Sequence, residues 1–452
     1  MEVKIRRRSR VVLASSLSAL SLLVYAYAQM QMRLPKVNVA VEASERGAIY
    51  AGDGSVLAQT LDGKRTYPQG QLAGQLLGMM GTDKGLEGIE QTYNATLASG
   101  EDVELTIDPT MQATAEAMLA KYVPEHQAEF GSVVAIETKT GRVLVSATYP
   151  PFEPGRWREF PSEVRRNRPF TDLFEPGSTV KALTVAAALN DHLITPDTTY
   201  STPMTRPVPY QVGKRVAYKI IHDAVEHPGV LDTRHVLRYS SNVGMSHIVE
   251  RFPKQAMFNY FQGYGFGQEV PLPDVFAQTG FMRNWKAWDA LVQTNISFGQ
   301  GVSCTPLQLA LAYNVLANDG EYLPPRLIAG RSGPRPHRVL AKSTARVTRE
   351  MLQAVIEEGI PRAAGIQGYK MGGKTGTAQA VVDGRYSHEL YDSVFAGFFP
   401  ADAPKVTMVV MVHGAKTKYH GSQLAAPIYR DVAAEAISRW ALPPAPEPDT
   451  TR

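Results

Sequence analysis

An uncharged run near the start of the chain sets the first constraint on its fold. The segment VVLASSLSALSLLVYAYAQMQM, from Val11 to Met32, holds no acidic or basic side chain. As a helix it would measure about 33 Å, at about 1.5 Å per residue, which is enough to cross the hydrocarbon core of a bilayer. We therefore predict one transmembrane helix over residues 11–32.

The charges that flank this run predict its orientation. Residues 1–10 carry an excess of basic side chains, which places them in the cytoplasm and everything after Arg33 outside it. The tripeptide Ala26-Tyr27-Ala28 has the small-x-small form of a cleavage site, so a removed signal peptide is the alternative. Because the uncharged run continues past that site, the sequence favours an anchor that stays in place.

The distribution of charge excludes nucleic acid as a partner. The first ten residues contain five basic side chains against Glu2, and this net charge of +4 equals the formal charge of the whole chain. The rest of the chain is formally neutral and offers no electrostatic footprint for phosphate backbones. The single cysteine, Cys304, cannot form an intramolecular disulfide, and its apolar surroundings predict a buried side chain without a catalytic role.

Strand and helix patterns after the span indicate an α+β domain. DVELTIDPT joins a strand-like run to an Asp-Pro helix start, and we place the beginning of the main domain at Asp102. GSVVAIETKTGRVLVSATYPP predicts a hairpin, and SVFAGFFP and KVTMVVMVHG predict two late strands, so one sheet would join the beginning of the domain to its end. The predicted segments are a basic terminus (1–10), the transmembrane helix (11–32), a short pedestal (33–101), the main domain (102–441) and a disordered Pro-rich tail (442–452).

Ser178 and Lys181 are the first candidate catalytic residues. In FEPGSTVKALTVAAALNDHL, Pro176-Gly177 interrupt the chain before an apolar helix, which places the serine in the first turn and the lysine three residues later on the same face. A neutral lysine can take the serine proton, but free lysine titrates near ~10.4, so burial or a second cation must lower its pKa. A helix N-cap is the ordinary alternative for such a serine.

The segment LRYSSNVGM contains the second candidate motif. A hydroxyl at Ser240 and an amide at Asn242 can point into one site, the first passing a proton and the second holding a substrate amide. The alternative is a polar loop between helices. IIHDAVEHPG, just upstream, is interpreted as a polar helix and loop, and no metal ligand set is predicted there.

The tripeptide Lys-Thr-Gly occurs twice, and its surroundings distinguish the two copies. At Lys139 to Gly141 it lies between two strand-like runs, where Thr-Gly serves a turn. At Lys374 to Gly376 it lies in MGGKTGTAQAV, where small residues let a substrate backbone approach and the lysine offers a cation to a carboxylate. Lys374 joins Ser178, Lys181, Ser240 and Asn242 as a predicted catalytic residue, and the predicted substrate-binding residues are Thr375, Gly376 and Thr377.

S-x-x-K, S-x-N and K-T-G in this order are the signature of penicillin-binding proteins and serine β-lactamases. The chain resembles a class B penicillin-binding protein of the FtsI-like kind along almost its whole length. RGAIYAGDGSVLA is similar to the membrane-proximal segment of that class, KGLEGIEQTYNATLASG to its linker, and RNRPFTDLFEPGSTVK and NISFGQGVSCTPLQLALAYNVLANDG to its transpeptidase domain. The distance from LAQT to TYPQGQLAGQLLG is short, which indicates a reduced pedestal.

The resemblance implies a fold, an activity and partners. The fold would be a central antiparallel sheet with helices on both faces. The protein would be a monofunctional D,D-transpeptidase in the bacterial cytoplasmic membrane, with its catalytic domain outside, where it cross-links peptidoglycan stem peptides in elongation or in division. It would bind β-lactam antibiotics covalently, work beside a SEDS-family glycan polymerase and need no cofactor.

The resemblance also assigns a role to each residue of the acylation step. Ser178 attacks the carbonyl of the penultimate D-Ala of a donor stem peptide while Lys181 accepts its proton. Ser240 passes a proton to the leaving D-Ala. Backbone N–H groups of Ser178 and Thr377 form the oxyanion hole.

In the resemblance, the S-x-N and K-T-G motifs bind the substrate. Asn242 holds the donor amide, and Lys374 with Thr375 and Thr377 anchors its terminal carboxylate. An acceptor amine then displaces the acyl-enzyme.

Three other functions remain as alternatives. A D,D-carboxypeptidase or a β-lactamase on the same scaffold would need a base that activates water, and the sequence assigns none. A β-lactam sensor would use the acylation as a signal, but such receptors usually carry several membrane spans. A non-catalytic scaffold for the polymerase would not need the Ser178 hydroxyl.

Overall fold

The computed structural model describes residues 16–27, 45–331, 333, 335–382 and 385–445. Residues 16–27 form a helix, α1, within a unit of their own, and a second compact unit begins at Glu45. Among the helices in the described ranges, none combines the length and the apolar character that crossing a membrane requires. The helix predicted over 11–32 lies partly outside the described residues, as does the tail predicted over 442–452.

The second unit opens with a small β-rich region, as the turn signals after the span predict. Its elements are β1 (Ile49–Tyr50), β2 (Val56–Leu61), β3 (Lys64–Thr66), α2 (Gly74–Leu77), β4 (Met79–Met80), β5 (Gly85–Glu87), α3 (Gly88–Thr92), α4 (Asn94–Ala98) and β6 (Val103–Glu104). One sheet has the order β3-β2-β1-β6, in which β6 runs parallel to β1. The strand that the sequence placed at the start of the main domain is thus paired with the pedestal sheet.

The remaining residues alternate between strands and helices. From residue 109 to 263 the elements are α5 (Pro109–Glu125), β7 (Phe130–Glu137), β8 (Val143–Tyr149), α6 (Ser162–Arg165), α7 (Arg168–Thr171), α8 (Val180–Asn190), β9 (Thr199–Ser201), β10 (Thr205–Val212), β11 (Arg215–His222), β12 (Val230–Asp232), α9 (Thr233–Arg238), α10 (Asn242–Glu250) and α11 (Lys254–Gly263). From residue 281 onward they are β13 (Phe281–Met282), α12 (Ala290–Ser297), β14 (Val302–Ser303), α13 (Pro306–Ala317), β15 (Glu321–Tyr322), β16 (His337–Arg338), α14 (Lys342–Ala354), α15 (Pro361–Ala364), β17 (Gly372–Val382), β18 (Arg385–Phe399), β19 (Val406–Ala415) and α16 (Ala425–Arg439).

The helix α5 begins where the Asp-Pro pair predicts. The Asp108 carboxylate accepts hydrogen bonds from the backbone N–H groups of Thr110 and Met111, both at 3.0 Å, and Pro109 occupies the first helical position. An aspartate N-cap satisfies two donors that a helix start leaves free, and proline costs nothing there because it has no N–H to satisfy.

A five-stranded antiparallel sheet organises the main domain. Its order is β17-β18-β19-β7-β8, so the last three strands of the chain pair with an early hairpin, as the sequence predicts. Side chains alternate across the sheet: Val134 and Ile136 pack into one apolar core, and Val133 and Ala135 into the other. The first core is completed by helices that include α8 and α13, and the second by α5 and α16. Helices therefore cover both faces.

A buried asparagine ties α13 to this sheet. The side chain of Asn314 is fully buried, and its Nδ2 donates to the carbonyl oxygen of Thr138 at 3.1 Å. Its Oδ1 accepts from the hydroxyl of Thr407 at 2.8 Å. One side chain thus satisfies two polar groups that the apolar packing removes from water.

We expect Asn314→Ala to lower the free energy of unfolding by about 1–3 kcal/mol, because it leaves the buried carbonyl of Thr138 without this donor and leaves the buried hydroxyl of Thr407 with only its longer contact, to the Thr138 hydroxyl at 3.4 Å. Chemical denaturation followed by tryptophan fluorescence would measure the change. Asn259→Ala, at an exposed position of α11, is the control and is expected to stay within about 0.5 kcal/mol of the parent. An equal loss in both variants would contradict the assignment.

Candidate active site

Ser178 lies in a tight turn that leads directly into α8. Gly177 to Thr179 form one 3₁₀ turn, and Gly177 has φ +54°, a backbone conformation that glycine adopts without strain. The residues from Val180 to Leu189 are all buried, so α8 runs through the core of the domain. The side chain of Lys181, in its first turn, is carried inward with the helix.

Lys181 is buried beside the second motif. Its Nζ lies 3.1 Å from the hydroxyl oxygen of Ser240 and also donates to the carbonyl oxygen of that residue. Burial lowers the pKa of Lys181 well below its usual value, and the nearby charge of Lys374 lowers it further, while the carboxylate of Asp223 acts in the opposite direction. The two conditions that the sequence set for a basic lysine, burial and a second cation, are both met.

The S-x-N motif joins α9 to α10. Ser240 has φ +57°, which is uncommon for a residue with a side chain and indicates a constrained turn. Ser241 caps α10, because its hydroxyl oxygen accepts from the backbone N–H of Gly244 at 2.8 Å. The Nδ2 of Asn242 donates to the carbonyl oxygen of His222 at 2.9 Å. The motif therefore forms a fixed turn between two helices.

A buried carboxylate that the sequence analysis missed holds this turn. Asp223 accepts from the hydroxyl of Ser241 at 2.6 Å, from the backbone N–H of Val243 at 3.0 Å, and from the backbone N–H of Asn242. His227 Nε2 lies 2.8 Å from the same carboxylate. The helix predicted for IIHDAVEHPG is wrong: the segment is the end of β11 and a loop.

Strand β17 carries the second Lys-Thr-Gly and lies against the turn of Ser178. A Cβ atom at Gly376 would lie 2.8 Å from the carbonyl oxygen of Pro176 and 3.1 Å from Cγ2 of Thr179. Glycine at this position therefore permits contact between the strand and the turn that no other residue allows without a shift. The hydroxyl oxygen of Thr377 accepts from the backbone N–H of Gly421 at 3.0 Å, which orients that side chain.

Lys374 is the second buried lysine of the site. It is 2% exposed, and its Nζ donates to the carbonyl oxygen of Thr375 at 3.2 Å. Burial lowers the pKa of Lys374 to about 8. Near neutral pH the side chain keeps most of its positive charge, in a position to attract an anionic group.

The first Lys-Thr-Gly copy is the turn that the sequence predicts. Gly141 has φ +74° at the tip of the β7–β8 hairpin, and the hydroxyl of Thr140 donates to the carboxylate of Glu137. The Nζ of Lys139 donates to Oδ1 of Asn318 at 3.1 Å. These contacts hold a surface turn and leave this copy outside the candidate site.

Glu175 is a further residue at the edge of the site that no motif indicated. Its carboxylate accepts from the backbone N–H of Gly301 at 2.8 Å and from the hydroxyl of Tyr386 at 3.0 Å. Burial raises the pKa of Glu175. The contact joins the segment before Ser178 to β18.

Comparison with known proteins identifies two domains in the chain. Residues 131–434 match the family described as the penicillin-binding protein transpeptidase domain. Residues 46–118 match the penicillin-binding protein A dimerisation domain. The membrane-proximal part and the transpeptidase domain of the class B resemblance are thus both present, in the expected order.

Individual relatives agree with this result. The chain is 33% identical over 361 residues to the probable peptidoglycan D,D-transpeptidase PenA of Neisseria flavescens, covering 79% of this chain and 88% of that protein. It is 31% identical over 417 residues to the PenA protein of Neisseria meningitidis, covering 84% of this chain and 69% of that protein.

A solved structure agrees as well. Penicillin-binding protein 3 of Mycobacterium tuberculosis, complexed with aztreonam, superposes with a TM-score of 0.81 at 29% identity, covering 89% of this chain and 98% of that one. The α+β fold with a mixed arrangement of helices around the sheet is therefore shared with a penicillin-binding protein. The chain belongs to the penicillin-binding protein transpeptidase family, as a class B peptidoglycan D,D-transpeptidase of the serine type.

Proposed function

We propose that this transpeptidase works through an acyl-enzyme on Ser178, with Lys181 as the base that takes the serine proton. The observation that carries the assignment is the environment of Lys181, which is fully buried, close to a second lysine, and one helical turn after the serine. A lysine in these surroundings is neutral over a wider pH range than a free lysine and can accept a proton. Ser240, 3.1 Å from Lys181 Nζ, then relays a proton to the leaving D-Ala.

Strand β17 binds the donor peptide and completes the oxyanion hole in this mechanism. The contact at Gly376 holds the backbone of β17 beside the turn of Ser178, so the N–H groups of Ser178 and Thr377 can serve the same developing oxyanion. Lys374 attracts the terminal carboxylate of the donor, with Thr375 and Thr377 as hydroxyl partners. Asn242 holds the donor amide.

The substrate follows from the activity of the family. The donor is a peptidoglycan stem peptide that ends in D-Ala-D-Ala, and the acceptor is the amine of a second stem peptide. Attack by Ser178 forms an ester and releases D-Ala. The acceptor amine then attacks the ester, which forms the cross-link and returns the serine hydroxyl. β-Lactam antibiotics acylate the same serine, and their ester is not displaced by an amine.

The N-terminal segment is proposed to anchor the enzyme in the cytoplasmic membrane, with residues 33–101 as a short pedestal and residues 102–441 as the catalytic domain outside. The uncharged run over 11–32 and the basic residues before it support this arrangement. A membrane partner that polymerises glycan strands, of the SEDS family, would supply the substrate during elongation or division.

Penicillin should add one covalent equivalent to the protein, and Ser178→Ala should abolish the adduct. Intact-mass spectrometry of the full chain would measure the adduct, and peptide mapping would place it. Ser438→Ala, at an exposed position of α16, keeps Ser178 and is the control, which should still be acylated. Hydrolysed drug without an adduct would indicate a β-lactamase, whereas intact drug without an adduct would indicate a non-catalytic scaffold.

The pH dependence of acylation tests the role of the two lysines. Neutral Lys181 is the base, so the acylation rate falls as pH drops through its pKa. Since the charge of Lys374 lowers that pKa, Lys374→Met should raise it and move the acid limb of the profile to higher pH. Rapid-mixing measurements with a fluorescent penicillin would show the shift. Lys374→Arg keeps the charge and should leave the limb near its original position; identical limbs in parent and Lys374→Met would contradict the coupling.

The anchor has its own test. The full chain would carry one tag before Met1 and a second tag at its C-terminus. It should sediment with membranes, resist extraction by carbonate and keep both tags. Blots against both tags would follow these properties. Replacement of Leu22 and Leu23 by arginine should release the protein, whereas a secreted product without the N-terminal tag would show cleavage after Ala28.

A further inference from the structure

A cavity lies in the pedestal region, on residues that the proposed mechanism does not use. Its volume is about 440 Å³, within the range of small-ligand sites. It is bounded by the β2–β3 hairpin, by β4 and by the 3₁₀ turn Pro154–Glu159. These elements belong to one compact unit, so the cavity is part of a single folded body.

The lining of this cavity is strongly basic. Four cationic side chains contribute to it, and no acidic side chain is among the lining residues in the described part of the chain. The cationic residues are Arg46, Lys64, Arg65 and Arg158. Converging cations repel each other where carboxylates do not fully balance their charge, and an anionic ligand would relieve that repulsion.

One buried carboxylate, that of Glu90, neutralises part of this positive charge, although Glu90 itself does not line the cavity. It is fully buried and accepts from Arg46 at 2.9 Å and from Arg65 at 2.7 Å. The hydroxyl of Tyr67 also donates to it, at 3.2 Å. A single negative charge is thus shared by two guanidinium groups, and Lys64 and Arg158 remain exposed at the rim.

Arg65 has an unused donor in this setting. Its side chain is 7% exposed, its Nε and Nη1 donate to Glu90 and to the carbonyl oxygen of Gly47, and its Nη2 is buried without a hydrogen-bond partner among the described residues. An unpaired donor on a buried cation is costly, and this donor belongs to a residue that lines the cavity. This donor is the second, independent sign of a ligand.

Arg158 is held at the rim by an aromatic contact. Its guanidinium carbon lies 4.3 Å from the centre of the Trp157 ring, and both residues line the cavity. Stacking on an aromatic face fixes the plane of a guanidinium group while its N–H donors remain free. The tryptophan also supplies a spectroscopic probe of the cavity.

We propose that this cavity binds a phosphate-bearing ligand, either a free phosphate compound or the headgroup of a phospholipid. Arginine guanidinium groups match phosphate oxygens in paired hydrogen bonds, and the local excess of three positive charges, four cations against Glu90, suits a multiply charged anion better than a single carboxylate. The site is separate from Ser178 and its ligand is not a substrate of the cross-linking reaction.

Titration of the full chain in a neutral detergent tests the proposal, with inorganic pyrophosphate, short-chain dihexanoyl phosphatidic acid and succinate as probes. Quenching of Trp157 fluorescence would report binding, with Trp157→Phe to identify its contribution and calorimetry as an independent measurement. We expect saturable binding of the phosphate probes. Tighter binding of phosphatidic acid than of pyrophosphate would assign the site to a lipid headgroup. Equal binding of the two probes would assign the site to free phosphate compounds.

The variants avoid the buried Arg65–Glu90 contact, whose loss could unfold the pedestal. Lys64→Gln with Arg158→Gln should weaken binding about tenfold or more. Arg156→Gln is the matched control: it lies in the same 3₁₀ turn, is paired with Glu153 and Glu159, does not line the cavity, and should bind as the parent does. The proposal is overturned if no probe saturates at millimolar concentration, if succinate binds as well as pyrophosphate, or if the control weakens binding as much as the double variant.

Discussion

The backbone contact between β17 and the turn of Ser178 is the constraint on which the active site depends. It exists because Gly376 has no Cβ atom, which would otherwise approach the carbonyl oxygen of Pro176 to 2.8 Å. This contact sets the distance between the turn of Ser178, the proposed nucleophile, and the strand that carries Thr377 and Lys374. Parts of the chain almost 200 residues apart in sequence are thereby held in one arrangement before any substrate arrives, and such prior organisation is a large component of catalytic rate.

Two buried lysines then determine the electrostatics of that arrangement. A charged ammonium group in the core is costly, and a second one beside it costs more, so folding itself favours a neutral Lys181. Asp223 partly opposes this shift, and it also holds the S-x-N turn through Ser241 and two backbone N–H groups. The same carboxylate therefore acts on the turn that contains Ser240 and on the pKa of Lys181. In the proposed mechanism, burial that destabilises the fold lowers the pKa of the base.

Sequence patterns predicted the features that depend on residues close together in the chain. The S-x-x-K spacing places Ser178 and Lys181 within one helical turn, and the Asp-Pro pair begins α5. The small residues around Lys374 predicted a strand that a substrate backbone can approach, but not its contact with the turn of Ser178. Asp223 was missed because its partner Ser241 is 18 residues away and the two meet through tertiary folding. The helix predicted for IIHDAVEHPG failed for a similar reason, since pairing of β11 with β10 overrides the local preference. The charge of the pedestal cavity likewise arises from residues more than 100 apart in the sequence, Arg46 and Arg158.

The central sheet has a consequence for biosynthesis. Strands β7 and β8 are made early, but their neighbour β19 and the strand β17, which lies against the turn of Ser178, come after residue 371, near the end of the chain. Until those residues emerge, the early hairpin has an unpaired edge at β7 and the second core lacks α16. Long-range strand pairing of this kind is slow, and its intermediates expose apolar surface. A chain that is still being synthesised therefore contains Ser178 before it contains the strand that lies against it, so the proposed acylation by stem peptide or antibiotic requires almost the whole length of the chain.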